Sequence, residues 1–225
     1  MDKLFSVAID GPSGAGKSTL AKAAAERFGF IYVDTGAIYR TVGLAAKRLG
    51  TDVEDEAAVS AILPTLDIRL AYDAHGNQRM YLNGEDVTEA IRMPDISMYA
   101  SAVSALPAVR RFLLDMQREL AKRQSVVMDG RDIGSVVLPD ADLKVYLTAS
   151  EEKRAQRRYA ELCEKGVVTT TEQVLKDITA RDARDSSRSA APLTRAEGAV
   201  LLDTSELTLE ESVAELCRII EAKRR

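Results

Sequence analysis

Tryptophan is absent from these 225 residues, histidine occurs once and cysteine twice, so several common chemistries lose their usual carriers. The single imidazole, His75 in the predicted turn DAHGN, reads as solvent-exposed and leaves little from which to build a histidine relay. Cys163 and Cys217 both fall in segments that read as helices, and no Cys/His spacing resembles a zinc site; a reduced, cytoplasmic compartment is expected. No apolar run approaches the roughly 20 residues of a membrane span, and the opening MDKLFSVAID is too short for a signal peptide. Neither sign of charge dominates. The 31 basic and 35 acidic residues leave a net charge of −4, a poor match for nucleic acid or an anionic membrane. With 46% hydrophobic residues and no visible repeat, the expectation is one compact monomer whose anionic ligands must meet locally gathered arginines.

What is present is concentrated. The string DGPSGAGKST, residues 10 to 19, follows the apolar run LFSVAI and precedes apolar residues at helical spacing, Leu20, Ala23, Ala24 and Phe28. Gly11 to Ser18 match GxxxxGK[ST], a loop whose backbone N–H groups and following helix end converge on one anion. Gly11, Pro12, Ser13, Gly14, Ala15, Gly16, Lys17, Ser18 and Thr19 are therefore the candidate ATP-binding loop. Lys17 would reach the β- and γ-phosphates, and the Ser18 hydroxyl would meet the bridging magnesium. The predicted strand SVVMD ends in Asp129, placed as a second candidate for the metal shell, with a plain strand-end turn as the alternative.

Strands LFSVAID, FIYVD, SVVMDGRD, LKVYLTAS and AVLLD alternate with helical patterns, which predicts five core strands in a parallel α/β sheet. Residues 66 to 91 break that rhythm and read as a small antiparallel β insertion. Pro107 opens a long helix, Asp95 could cap a short one, and Thr208 with Glu211 and Thr170 with Gln173 have capping-box spacing. Gly166 separates two helices that read as a lid.

Charge gathers in two places. VDTGAIYR puts Thr35 at a predicted helix start, as its cap, and Arg40 a little over one turn in. Further on, Arg181, Arg184, Asp185 and Arg188 share one helical face, and Arg154, Arg157 and Arg158 form a stripe on the preceding helix. Either stripe could be a solvated face laced with weak ion pairs. Together they suit a lid that brings positive charge to a second anion and keeps water out. Arg131 and Asp132 follow Asp129 at the carboxyl edge of the sheet, where ligands of such folds bind.

The strings IDGPSGAGKST, DTGAIYR, LNGEDVTEAIR, DGRDIGSVVLPDA and RDARDSSRSAAPL, in this order from residue 9 to residue 193, resemble the bacterial cytidylate kinases, which are nucleoside monophosphate kinases. The resemblance implies a P-loop nucleoside monophosphate kinase fold with a core near 1–62, 107–150 and 190–225, an acceptor-binding insertion near 63–106 and a helical lid near 151–189. It implies transfer of the ATP γ-phosphoryl group to CMP or dCMP, with Mg2+. Carried onto matching positions, Arg40, Arg131 and Arg181 would grip phosphate, the latter two acting in catalysis with Lys17; Thr35 would belong to the CMP site. Asp185 would meet the sugar, Ser101, Arg110, Asp132 and Arg188 would read the base, and Arg157 would lie near ATP. Some relatives have glycine where this chain has Ser18. The alternatives are another acceptor, such as UMP or a small alcohol, and a nucleotide-dependent switch, against which stands the lack of an NKxD-type guanine motif.

Overall fold

The computed structural model describes residues 3–164 and 166–225; residues 1, 2 and 165, which the expected core and lid ranges include, lie outside it. Strand β1 (Ser6–Asp10) is a continuous apolar run because both its faces are covered: Val7, Ala8 and Ile9 have no exposed surface. It pairs in parallel with β6 (Val126–Gly130) and β7 (Leu143–Thr148). The sheet is completed by β2 (Ile31–Asp34) beside β6 and β8 (Val200–Asp203) beside β7, giving the order β2-β6-β1-β7-β8, all parallel.

Side chains alternate across this sheet and feed two cores. Val7, Ile9 and Val127 pack under α1 (Lys17–Phe28) and α8 (Leu209–Arg224), with Leu20, Ala24, Leu216 and Ile220. Ala8, Val33 and Met128 face the other way, onto α2 (Thr35–Arg48), α4 (Ile96–Ala105) and α5 (Pro107–Arg123). Helix α3 (Glu56–Ile62), held at its start by the Asp55 carboxylate on the N–H groups of Ala57 and Ala58, adds Val59 to that face.

The expected β insertion is a three-stranded antiparallel sheet of β3 (Ile68–Tyr72), β4 (Gln78–Leu82) and β5 (Glu85–Asp86). Its inward residues Ile68, Met80 and Leu82, and Val103 of α4, belong to the same buried cluster as the α2 face. Gly43 lets α4 lie against α2, since a Cβ there would sit 2.8 Å from the Ala100 nitrogen. The hairpin is also pinned to β2. Gln78 accepts from the Asp34 N–H (2.8 Å) and donates to the Asp34 carbonyl (3.1 Å), while the Tyr72 hydroxyl donates to the Tyr32 carbonyl (2.9 Å).

Helices α6 (Glu151–Glu164) and α7 (Thr171–Ser187) form a hairpin with its own small buried cluster of Ala155, Val174 and Ile178. Ser150 accepts from the Lys153 N–H at the start of α6, and Thr208 and Glu211 form the full capping box of α8. Two expected caps differ. Asp95 leaves α4 uncapped because its carboxylate pairs with Lys47, and Thr170 caps α7 alone because the Gln173 side chain turns to Asp177.

Candidate active site

The carboxyl ends of β1, β2 and β6 bring Asp10, Asp34 and Asp129 to one edge, with Ile9 and Asp34 each in register with Asp129. The loop between β1 and α1 crosses that edge. No side chain caps the first turn of α1, whose N-cap Gly16 is left-handed, so its leading N–H groups remain for a ligand anion. Gly14, with φ +73°, packs on α6: a Cβ there would lie 3.1 Å from the Arg154 carbonyl oxygen. Lys17 is buried and its ammonium donates to the Pro12 carbonyl at 2.7 Å. Burial pushes its pKa down, and Arg131 and Arg181 push the same way against the pull of Asp129 and Asp10. Ser18 and Thr19 are exposed at the start of α1.

Asp129 sits at the centre of a network that only its strand-end position announced. Its carboxylate accepts from the Tyr32 hydroxyl (2.9 Å) and the Ser18 hydroxyl (3.0 Å), and its carbonyl accepts from Thr35 (2.7 Å). Burial, and then the neighbouring Asp34, raise the Asp129 pKa to about 6, with Lys17 opposing. Crowded negative charge with the Ser18 hydroxyl resting on it is a donor set for a hard divalent cation that draws its other ligands from phosphate and water. Among the described residues no group of three or more His, Cys, Asp or Glu is placed to hold a metal without such help.

Thr35 is not the helix cap that its position suggested. Asp34 caps α2, accepting from the Ala37 N–H at 2.9 Å, because Thr35 is already the first helical residue and turns its hydroxyl to β6. The second Asp34 oxygen accepts from Arg40 at 2.7 Å, which aims that guanidinium along the edge.

Across from Lys17 the expected phosphate-binding arginines converge. Arg131 donates through Nε to Asp185 (2.8 Å), and Arg188 pairs with the other Asp185 oxygen. Both oxygens of the buried Asp185 are thus spoken for by arginines. Arg181 stands among them with its pKa pushed down to about 10, first by burial and next by Arg131, with Arg40 and Arg188 adding to the effect. The Nε groups of Arg40 and Arg181 are buried and, among the described residues, have no hydrogen-bond partner. A buried donor left unmade costs about 1 to 3 kcal/mol, which an arriving anion would recover.

The candidate base-reading residues lie beside this cluster. Asp132 pairs with Arg110, which also donates to the Ser104 carbonyl at 3.0 Å and lies over the Tyr39 ring, 5.7 Å from its centre. Buried Ser101 is on the same turn, its carbonyl accepting from Ser104 at 2.9 Å. Arg188 is close enough to both Arg110 and Asp132 to feel their charges. Asp10, not singled out from the sequence, fixes this loop by accepting from the N–H groups of Ile133 (2.7 Å) and Gly134 (2.8 Å), so its carboxylate joins the phosphate loop to the Arg131–Asp132 turn.

The arginine stripe of α6 does not act as one surface. Arg154 is buried and donates to the Ala149 and Ser13 carbonyls, Arg157 donates to the hydroxyl and carbonyl of Thr204 after β8, and Arg158 pairs with Glu161. A common helical face fixes the direction of side chains; what each meets depends on where α6 is docked. Arg184 likewise is exposed, although Arg181 and Asp185 on its face are in the cluster. His75 is exposed in its turn, and neither Cys163 nor Cys217 forms a disulfide. No helix among the described residues is long and apolar enough to cross a membrane.

The same architecture occurs in solved structures. A shikimate kinase from Bacteroides thetaiotaomicron superposes with a TM-score of 0.50 at 15% identity, covering 97% of this chain and 99% of that one. An uncharacterized protein from Eubacterium ventriosum reaches 0.55 at 12% identity, with 98% and 99% covered. At these identities the likeness is one of fold. In sequence, a cytidylate kinase from Pelotomaculum thermopropionicum is 46% identical over 225 residues, the whole of both chains. One from Caldanaerobacter subterraneus is 51% identical over 219 residues, 97% of this chain and 94% of that one. The family model described as cytidylate kinase matches residues 7–222. With its phosphate loop, its arginine cluster and these full-length relatives taken together, the chain belongs to the cytidylate kinase family.

Proposed function

We infer that the chain transfers the γ-phosphoryl group of ATP to CMP or dCMP, giving ADP and CDP or dCDP. The observation that carries the phosphate assignment is the pair of buried Nε donors on Arg40 and Arg181, without a partner among the described residues and set with Arg131 near Lys17. Cations crowded at that cost, with burial and neighbouring arginines pushing the pKa values of Lys17 and Arg181 down, suit a site completed by substrate phosphates.

In this reading the amides of residues 14 to 19 and Lys17 hold the ATP phosphates, while Arg40, Arg131 and Arg181 hold the CMP phosphate. An oxygen of the CMP phosphate attacks the γ-phosphorus, and the bond to the β,γ-bridging oxygen breaks, its electron pair leaving with ADP. The nucleophile is already an anion, so no protein base is required. Catalysis is alignment and charge stabilisation. Ser18 and Asp129 would hold Mg2+, which when bound neutralises charge on the β- and γ-oxygens. Cytosine offers an N4 amino donor beside N3 and O2 acceptors, a pattern suited to the Asp132 carboxylate with Ser101, Arg110 and Arg188; uracil reverses two of those groups. Asp185, which holds Arg131 and Arg188, would meet the sugar, and Arg157, anchored on the Thr204 carbonyl, would lie near ATP. The hairpin α6–α7 acts as the lid and residues 63–106 as the acceptor-side unit, in a monomeric cytoplasmic enzyme.

An ADP-release assay with CMP, dCMP, UMP, AMP and a small alcohol tests this. Turnover is expected to be highest with the cytidine nucleotides and to need Mg2+. Equal turnover with UMP would overturn the base assignment, and no turnover with any monophosphate would overturn the reaction.

A further inference from the structure

Asp182 lies on the lid helix α7 between Arg181 and the next turn's Asp185, and its carboxylate reaches the phosphate loop. One oxygen accepts from the Ser13 backbone N–H at 2.8 Å, and the other accepts from the buried Arg154. The same Arg154 Nη1 donates to the Ser13 carbonyl at 2.8 Å, and its Nε is anchored on the Ala149 carbonyl at 3.0 Å. Both polar backbone groups of Ser13 are thus taken by one lid ion pair. Gly14 next to it packs directly on the Arg154 backbone.

We propose that Asp182, acting through Arg154 and the Ser13 backbone, is a positioning residue that locks the closed lid to the donor phosphate loop. The argument rests on the phosphotransfer reading above. Helix α7 then reads both ends of the reaction: Arg181 faces the acceptor phosphate site and Asp182, the next residue, grips the donor loop. Fixing Ser13 sets the direction of the amides that follow it, from Gly14 to Thr19, and these are the ones left for phosphate. Closing the lid therefore shapes the donor cradle at the same moment as it brings in Arg181, and a lid held shut keeps water from taking the phosphoryl group. A stripe of arginines does not reveal this, because the residue that matters is the carboxylate among them.

The test compares Asp182→Ala and Asp182→Asn with the unaltered chain, using ATP, Mg2+ and CMP. Loss of alignment at the reacting atoms is expected to lower kcat with saturating substrates by about tenfold to a hundredfold. The ratio of ATP hydrolysis without CMP to transfer with CMP is expected to rise, and amide exchange at residues 11–19 in the presence of both nucleotides to speed up. CMP affinity, measured by calorimetry without ATP, should fall by less than kcat does, because Asp182 reaches the acceptor cluster only through the placement of Arg181 on the same helix. Asp182→Asn, which keeps an acceptor for the Ser13 N–H but loses the charge opposite Arg154, should fall between the other two; if the alanine variant does not fold, the isosteric asparagine carries the test. Unchanged kcat and hydrolysis ratio in a folded variant would overturn the proposal, as would tighter ATP binding at unchanged kcat, which would make Asp182 a mere competitor for the phosphate amides. Failure of the reaction itself would show in the unaltered chain.

Discussion

Val103 on α4 and Val174 on α7 are both buried, but against different things. Val103 belongs to the large cluster that runs from the sheet through α2 into the β insertion, whereas Val174 shares a cluster with Ala155 and Ile178 inside the lid hairpin. The polar ties differ in the same direction. At the sheet edge the insertion is fastened by neutral bonds to the backbone of β2, through Gln78 and Tyr72, with its ion pairs to α2, Arg48–Glu85 and Lys47–Asp95, out on the exposed surface, whereas the hairpin α6–α7 meets that edge through charged groups, Asp182 on Ser13 and Asp185 on Arg131. Apolar burial is indifferent to substrate, so the insertion stays with the core. Charged contacts at an anion site change when an anion arrives. In the phosphotransfer reading proposed above, the hairpin α6–α7 is the lid, the part whose docking the substrates would complete.

The most damaging way to separate the two is to remove a lid arginine. Arg181→Met is expected to lower phosphoryl transfer by about 10²- to 10³-fold, about 3 to 4 kcal/mol of transition-state stabilisation. The same change relieves the crowding of Arg181 with Arg131, Arg40 and Arg188, so the melting temperature of the free protein should hold or rise. Steady-state kinetics beside thermal denaturation checks both signs. A parallel fall in stability would mean that the arginine cluster supports the fold.

On the insertion side the expected effect is on stability. Ile91, with no exposed surface in the shared cluster, should cost about 2 to 4 kcal/mol as Ile91→Ala, read by urea unfolding. Gln78→Ala is milder. It strips two bonds from the backbone of Asp34 and is expected to cost about 1 to 2 kcal/mol. Because Asp34 also caps α2 and aims Arg40, the same variant should weaken CMP binding by a few-fold, measured by calorimetry.

Much of this organisation was legible from the residues. The strand before GPSGAGKS and the helix after it, the five parallel strands, the antiparallel insertion and the Thr208 to Glu211 capping box all depend on local pattern, and the structure has them. What local pattern could not supply was direction. Thr35 was the expected cap of α2, yet Asp34 caps it, because β6 offers its carbonyl to the Thr35 hydroxyl. Arg154, Arg157 and Arg158 share a face, yet the docking of α6 sends them to the phosphate loop, to Thr204 and to Glu161. Asp10, Tyr32 and Asp182 were passed over because each acts through backbone groups or a carboxylate far away in sequence. An aspartate beside a glycine-rich loop, or inside an arginine-rich helix, was the available signal for two of them.

The smallest expected effect is also the sharpest test of the contrast. Ile178→Ala removes one of the three buried apolar side chains of the lid cluster. Were the lid part of the main core, the loss would match that at Ile91. A hairpin with its own small core instead opens locally, below the free energy of global unfolding. The free energy of global unfolding in urea should then fall by less than about 1 kcal/mol. Amides of α6 and α7 should lose protection in hydrogen exchange while those of β1 and β6 keep theirs. ATP and CMP together, by drawing Arg181 and Asp182 onto the sheet edge, should restore part of that protection, since a ligand bound only to the closed form stabilises that form. An equal loss of protection across lid and sheet would merge the two regions into one cooperative unit and remove the basis for treating the lid as the moving part.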